Sequence, residues 1–291
     1  MPGLSLVETI DFHTHPLLVR EMWERYPDLR RVARDVFFIR NNPQPLETFL
    51  LELDVSGLKR AVLLPIDATT ARGCQIYSNE QIAELCRMSE RFIGFASVDP
   101  HKRSAADELE HAVKDLGLRG LKLSPPTQEF YPDNAKLAYP IYEKAQSLGI
   151  PILFHAGMSW EPRAKIEYGR PMHFENVAYD FPELKIVLAH LAWPWVLEAV
   201  SLALKYPNVY LDTSALYFDN PKDFIRFAMA EQAPVTVWER SLRHQIVFGS
   251  NYPRVEIKNM AAAVRSLGLS EGCLRLIFEE NARNLLGEVA G

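Results

Sequence analysis

Eight short apolar runs, alternating with longer helical patterns, set the strongest limit on what this chain can fold into. They are VETIDFHTH (7–15), RAVLLPID (60–67), RFIGFASVD (91–99), RGLKLS (119–124), IPILFHAG (150–157), LKIVLAH (184–190), NVYLDTS (208–214) and HQIVFGSN (244–251). Their length and their Val, Ile, Leu and Phe content predict buried parallel strands. Between them lie LETFLLELDVSG after Pro45, SNEQIAELCRMSE from an N-cap at Ser78, and SAADELEHAVKDLG from Ser104 to Gly117. DNAKLAYPIYEKAQSLG, PWVLEAVSLALKYP and IKNMAAAVRSLG follow the same pattern. Cap residues at the start and Gly at the end mark these as helices.

Strands alternating with helices argue for a parallel β/α architecture. Two forms compete, a closed (β/α)8 TIM barrel and an open doubly wound sheet. Almost every run ends in His, Asp, Lys, Ser or Asn. A barrel uses the C-terminal ends of all its strands for its active site, whereas an open sheet gathers ligand groups at one switch point. No GxGxxG or Walker A sequence occurs. The reading is one TIM-barrel domain over 1–291, with no linker or low-complexity tract to divide it. A length of 291 residues is ordinary for such a barrel.

The net charge is −5, and no basic cluster stands free of acidic neighbours, so a nucleic-acid partner is not expected. No apolar run approaches the roughly 18 residues needed to span a bilayer, so no membrane partner is expected either. The first residues hold no basic segment leading into a long apolar one, which predicts no signal peptide. Cys74, Cys86 and Cys273 are odd in number and form no CxxC, which fits thiols in a reducing cytoplasm.

HTH at 13–15 is the sharpest chemical signal. Strand alternation would put Asp11, His13 and His15 on one face. Two imidazoles spaced this way can grip one ion. His155 closes the fifth run and His190 the sixth, so four of the chain's eight histidines fall at three strand ends. A third histidine beside HxH gives a metal an open position for water, whose pKa then falls to about 7.

IDFHTHP, the histidines of runs five and six, LAHLAWPWVLEA, PNVYLDTSA, IVFGSNYPR and the NARNLLG tail together resemble the amidohydrolase superfamily. The resemblance runs from Ile10 to Gly287 and is nearest to the amidohydrolase-2 branch, with its aminocarboxymuconate semialdehyde decarboxylase, aromatic-acid decarboxylases and assorted hydrolases. It implies one divalent metal, Zn by preference and Mn as the alternative, on His13, His15 and His155. It implies that His190 polarises the substrate or assists proton transfer. A homodimer is implied by the resemblance alone.

The chain departs from the family pattern at Asn251, where a GSDYP-type motif has an Asp that ligates the metal and moves protons. An Asn side chain is neutral and cannot take a proton. Its oxygen still offers a weak ligand, so Asn251 is both a metal and a catalytic candidate. Three accounts stand open: an engineered variant, chemistry that needs no carboxylate here, or a barrel that has lost catalysis and kept binding.

Lys122 closes the fourth run and suits a substrate carboxylate or a structural ion pair, with a metal-bridging carboxylated lysine as a lesser reading. The 16–45 segment is long for a connection after a strand and reads as a lid or as a helical excursion packed on the barrel. It carries Trp23, Tyr26, Phe37 and Phe38 with several arginines, of which Arg40 is a candidate for a planar carboxylated substrate. Trp160, in the stretch after His155, is a second.

The function expected is a metal-dependent hydrolase of a small, carboxylated cyclic or aromatic compound. The alternatives are a non-oxidative decarboxylase of an aromatic or muconate-type acid, a metal-independent lactonase, and a catalytically dead ligand-binding barrel.

Overall fold

The computed structural model describes residues 8–288 apart from 37 and 216, so Phe37 of the 16–45 segment and Val7 of the first run lie outside the described residues. The strands are β1 Ile10–Thr14, β2 Arg60–Leu63, β3 Ile66–Ala68, β4 Cys74–Ile76, β5 Phe92–Gly94, β6 Leu121–Leu123, β7 Ile152–Phe154, β8 Ile186–Leu188, β9 Val209–Asp212 and β10 Ile246–Val247. Two parallel arcs run in the order β1-β2-β5 and β6-β7-β8-β9-β10. A bridge from Ala96 to Leu121 joins them on one side. On the other, Thr14 bridges Tyr252, and Phe12 N donates to Phe248 O at 2.8 Å. The eight parallel strands therefore close into a (β/α)8 barrel. β3 and β4 form an antiparallel hairpin that belongs to neither arc.

Alternation along the strands divides the core in two. Ala61, Leu63, Leu121 and Leu123 face the surrounding helices. Val62, Leu64, Ile93, Phe95, Leu153, Val187 and Val247 form a second cluster inside the barrel. Phe12 and Phe95 meet there edge to face, 5.5 Å between centroids. Gly120 makes room for Phe95, because a Cβ at that position would lie 2.4 Å from the ring. Burying a phenyl ring in this way stabilises the fold by roughly 1.5–3 kcal/mol.

The chain's last described helix completes the interior. Ala282, Leu285 and Leu286 join the inner cluster. Glu288 accepts from Arg60 at 2.9 and 2.6 Å and from Arg119 at 2.7 Å. Arg60 opens β2 and Arg119 precedes β6, so this tail covers the N-terminal end of the barrel and leaves the other mouth to chemistry.

Most elements fall within the expected runs, with shorter strands. RAVLLPID splits at Pro65 into β2 and β3, since proline offers no N–H to a ladder. Ser78 caps helix Asn79–Met88 with a full capping box through Gln81. Ser104 caps no N–H with its side chain; its hydroxyl donates to Glu108 instead. The 16–45 segment carries helices Arg20–Arg25 and Asp28–Asp35. No helix among the described residues is long and apolar enough to cross a membrane.

Candidate active site

The pairing of β1 with β2 shifts register between Asp11 and Thr14. This bulge breaks the alternation expected of HTH. Phe12 packs inside the barrel, and His13 still reaches the inward residues of β9. Asp11 does not join the two histidines. Its Oδ1 accepts from the backbone N–H of His13 and Ser250, and burial pushes its pKa up to about 7. Bulges commonly re-aim side chains in this way beside active sites. Gly249 accommodates the shift, because a Cβ there would stand 2.8 Å from the Cβ of His13.

His13 Nδ1 lies 2.7 Å from Asp212 Oδ2, and His15 Nδ1 lies 2.9 Å from Leu64 O. Ser214 donates its hydroxyl to Asp212 Oδ1, which leaves its oxygen to accept from His13 Nδ1 at 3.1 Å and His190 Nδ1 at 2.8 Å. All these partners are acceptors, so each of the three rings carries its proton on Nδ1. The bare Nε2 atoms of His13 and His15 then face each other at 3.3 Å. Two lone pairs turned together repel unless a cation lies against them. Burial holds His13, His15 and His190 well below the usual imidazole range and His155 down to about 3, which keeps all four neutral and able to ligate.

The described residues bring one His and Asp group within metal-holding distance, His13, His190 and Asp212. The site therefore fits a divalent ion. Its Asp comes from β9, and the hydrogen bonds behind the rings fix their tautomers. Asp212 and Ser214 were not singled out from the sequence. The available signal was their i, i+2 spacing at the end of NVYLDTS, the same spacing that marks HTH.

His190 follows β8 in a left-handed turn, with φ of 62°, 48° and 50° at His190, Leu191 and Ala192. Such backbone costs about 1–3 kcal/mol per residue and persists where surroundings enforce it. Here Asp212 Oδ1 accepts from His190 N at 2.8 Å, and Trp193 O accepts from Met158 N at 2.9 Å. His155 stands apart from the metal group. Its Nε2 meets Met158 O at 3.0 Å, and its ring lies 4.8 Å from that of His190.

Asn251 is also left-handed, φ 66°, a conformation asparagine tolerates better than most residues. Its Nδ2 donates to Ala215 O at 3.0 Å, and its backbone N–H donates to His13 O. It lines the pocket without belonging to the metal group.

The pocket at this mouth encloses a cavity of about 60 Å3. His15, His155, His190 and Asn251 line its polar side; Leu17, Val36, Ile39 and Ile66 line its apolar side. Lys122 lies at its base, 1% exposed, and its Nζ has no hydrogen-bond partner among the described residues. Burial lowers the Lys122 pKa to about 7. Trp160 lines the rim, and so does Arg254, which follows Asn251 in YPR and was not singled out. Arg40 is exposed and does not reach the pocket; its part of the segment contributes Val36 and Ile39 instead.

Several known proteins resemble this chain. A 67-residue stretch is 33% identical to protein fluG of Emericella nidulans, covering 23% of this chain and 8% of that protein. A TIM-barrel protein from Bordetella bronchiseptica superposes with a TM-score of 0.75 at 24% identity, covering 97% of this chain and 99% of its own. A dihydroxybenzoic acid decarboxylase from Polaromonas, solved with bound manganese and the inhibitor 2-nitroresorcinol, gives 0.63 at 20% identity, covering 96% and 97%. At these identities the two structures attest to the fold. Residues 10–287 match the family described as Amidohydrolase, and with that match over nearly its whole length the chain belongs to the amidohydrolase family of enzymes.

Proposed function

We propose that this chain is a metal-dependent, non-oxidative decarboxylase of a small aromatic carboxylic acid. The observation that carries the reading is Lys122, a buried amine at the base of the pocket with no hydrogen-bond partner among the described residues. Asp212 favours the charged form of Lys122 from a distance without hydrogen-bonding it, and a substrate carboxylate supplies the direct partner that a buried amine needs. The apolar side formed by Leu17, Val36, Ile39 and Ile66 suits a flat ring.

His13 and His15 would hold the ion with their Nε2 atoms, with His190 completing the set, His155 and Asn251 beside it, and Asp212 behind the rings as the acceptor that orients His13. When bound, the ion supplies positive charge to the oxygens of the substrate; manganese in the Polaromonas decarboxylase makes it a natural first choice over zinc. The bond from ring carbon to carboxylate breaks, carbon dioxide leaves, and the electron pair stays on the ring. A proton then takes the vacated position, and Lys122 has one to give. Asn251 fits this chemistry better than hydrolysis, because losing carbon dioxide calls for no base on water.

The hydrolase reading draws support from Glu161, a carboxylate that lines the pocket. One experiment separates the two. The manganese-loaded protein, given a panel of hydroxylated benzoic acids, should release one carbon dioxide per acid consumed, and Lys122→Met should raise KM at least tenfold and lower kcat as well. Turnover of lactones or amides with no carbon dioxide would replace the decarboxylase by a hydrolase.

A further inference from the structure

A second unpartnered polar atom lines the pocket. Glu161 lies six positions beyond His155, and its side chain is nine-tenths buried, 10% exposed. Its Oε1 is held by Arg72 Nε. Its Oε2 is withdrawn from solvent and has no hydrogen-bond partner among the described residues. A buried carboxylate oxygen left in this state costs about 1–3 kcal/mol or more. Arg72 Nη2 is also buried without a hydrogen-bond partner among the described residues, but Glu161 lines the pocket and Arg72 does not, so Oε2 is the open atom that a ligand meets. The Arg72 guanidinium is anchored in turn by Glu129 at 2.6 Å and by Ala71 O at 2.9 Å, so it ties together chain that follows β3, β6 and β7. Glu129 is half exposed, which puts this clasp at the rim, whereas Lys122 is fully buried at the base.

The pocket thus has opposite demands at its two ends. The base offers an unmatched donor and the rim an unmatched acceptor, with the apolar side between them. We propose that Glu161 is the specificity-determining residue of the pocket, selecting aromatic acids that carry a hydrogen-bond donor, hydroxyl or amino, at the end away from the carboxylate. The assignment rests on Lys122 taking the carboxylate. A ring with only acceptors at the far end would meet a carboxylate oxygen head-on and leave it unpaired. Sites built to pair with one polar group reject analogues that lack it far more strongly than apolar pockets reject a change of size.

The test is calorimetric binding of benzoate, 4-hydroxybenzoate and 4-nitrobenzoate to the manganese-loaded protein. The expected order puts 4-hydroxybenzoate at least about tenfold tighter than the other two. In Glu161→Gln the amide oxygen still accepts from Arg72, and an NH2 replaces the open oxygen. The preference should then disappear or turn toward 4-nitrobenzoate. Equal affinities in the unmodified protein, or an unchanged preference in Glu161→Gln, would overturn the proposal. Lys122→Met separates the two assignments. If it binds all three acids as the unmodified protein does, the carboxylate lies elsewhere and the decarboxylase reading falls, while the hydroxyl preference still decides the role of Glu161. If none of the three binds the unmodified protein, both fall.

Discussion

Asn251 and Asp differ by one group, and the surroundings of residue 251 distinguish them. The amide NH2 donates to Ala215 O at 3.0 Å inside a buried site. An ionised aspartate would turn an acceptor toward that carbonyl. Asn251→Asp should therefore lose roughly 1–3 kcal/mol of stability in the metal-free protein at neutral pH, read from denaturant midpoints. An unchanged or raised midpoint would mean that the carbonyl does not choose between the two. The histidines were legible as residues, because polar groups closing apolar runs stand out against their background. Their support was not: Asp212 and Ser214 matter through contacts with β1 and β8, about 200 and 22 residues away in the chain, respectively.

Among elements, the tail after the last helix has the clearest energetic signature. Hydrogen bonds from Arg60, then from Arg119, hold the Glu288 carboxyl below its ordinary range. A carboxylate with a depressed folded pKa contributes stability above its unfolded value, near 4.3, and loses it as pH falls through the folded one. Glu288→Gln should cost about 1 kcal/mol or less near neutrality, given partial solvent screening. The gap between variant and unmodified protein in urea titrations should close toward acid. A gap that widened below pH 4 would contradict this account. The same scale explains what alternation and caps could foresee. Eight barrel strands and the main helices followed from local pattern, since each buries one face. The bulge in β1 and the β3–β4 hairpin did not. The first depends on how β1 sits against a neighbour some fifty residues away, and the second hides in an apolar run divided only by Pro65.

For the whole molecule, the facing Nε2 atoms of His13 and His15 link metal to folding. An ion that binds the folded barrel alone stabilises it by about 2.7 kcal/mol at a hundredfold excess over its Kd. Manganese should then raise Tm by roughly 5–10 °C over protein stripped with a chelator. The rise should vanish in His13→Ala, where one of the two facing lone pairs is gone. An equal rise in that variant would place the ion elsewhere.

The tail that covers the barrel floor has a consequence for how the protein is made. β1 emerges from the ribosome first, yet its partner on one side is the chain around Phe248, and the inner cluster takes Ala282, Leu285 and Leu286. Most of the chain must be translated before the cylinder can shut. Until then the growing polypeptide exposes two unpaired strand edges and an uncovered apolar interior, the features that draw chaperones and promote aggregation. A ribosome stalled before residue 240 should hold a protease-sensitive nascent chain, and one stalled within a long flexible linker fused after Gly291 a resistant one.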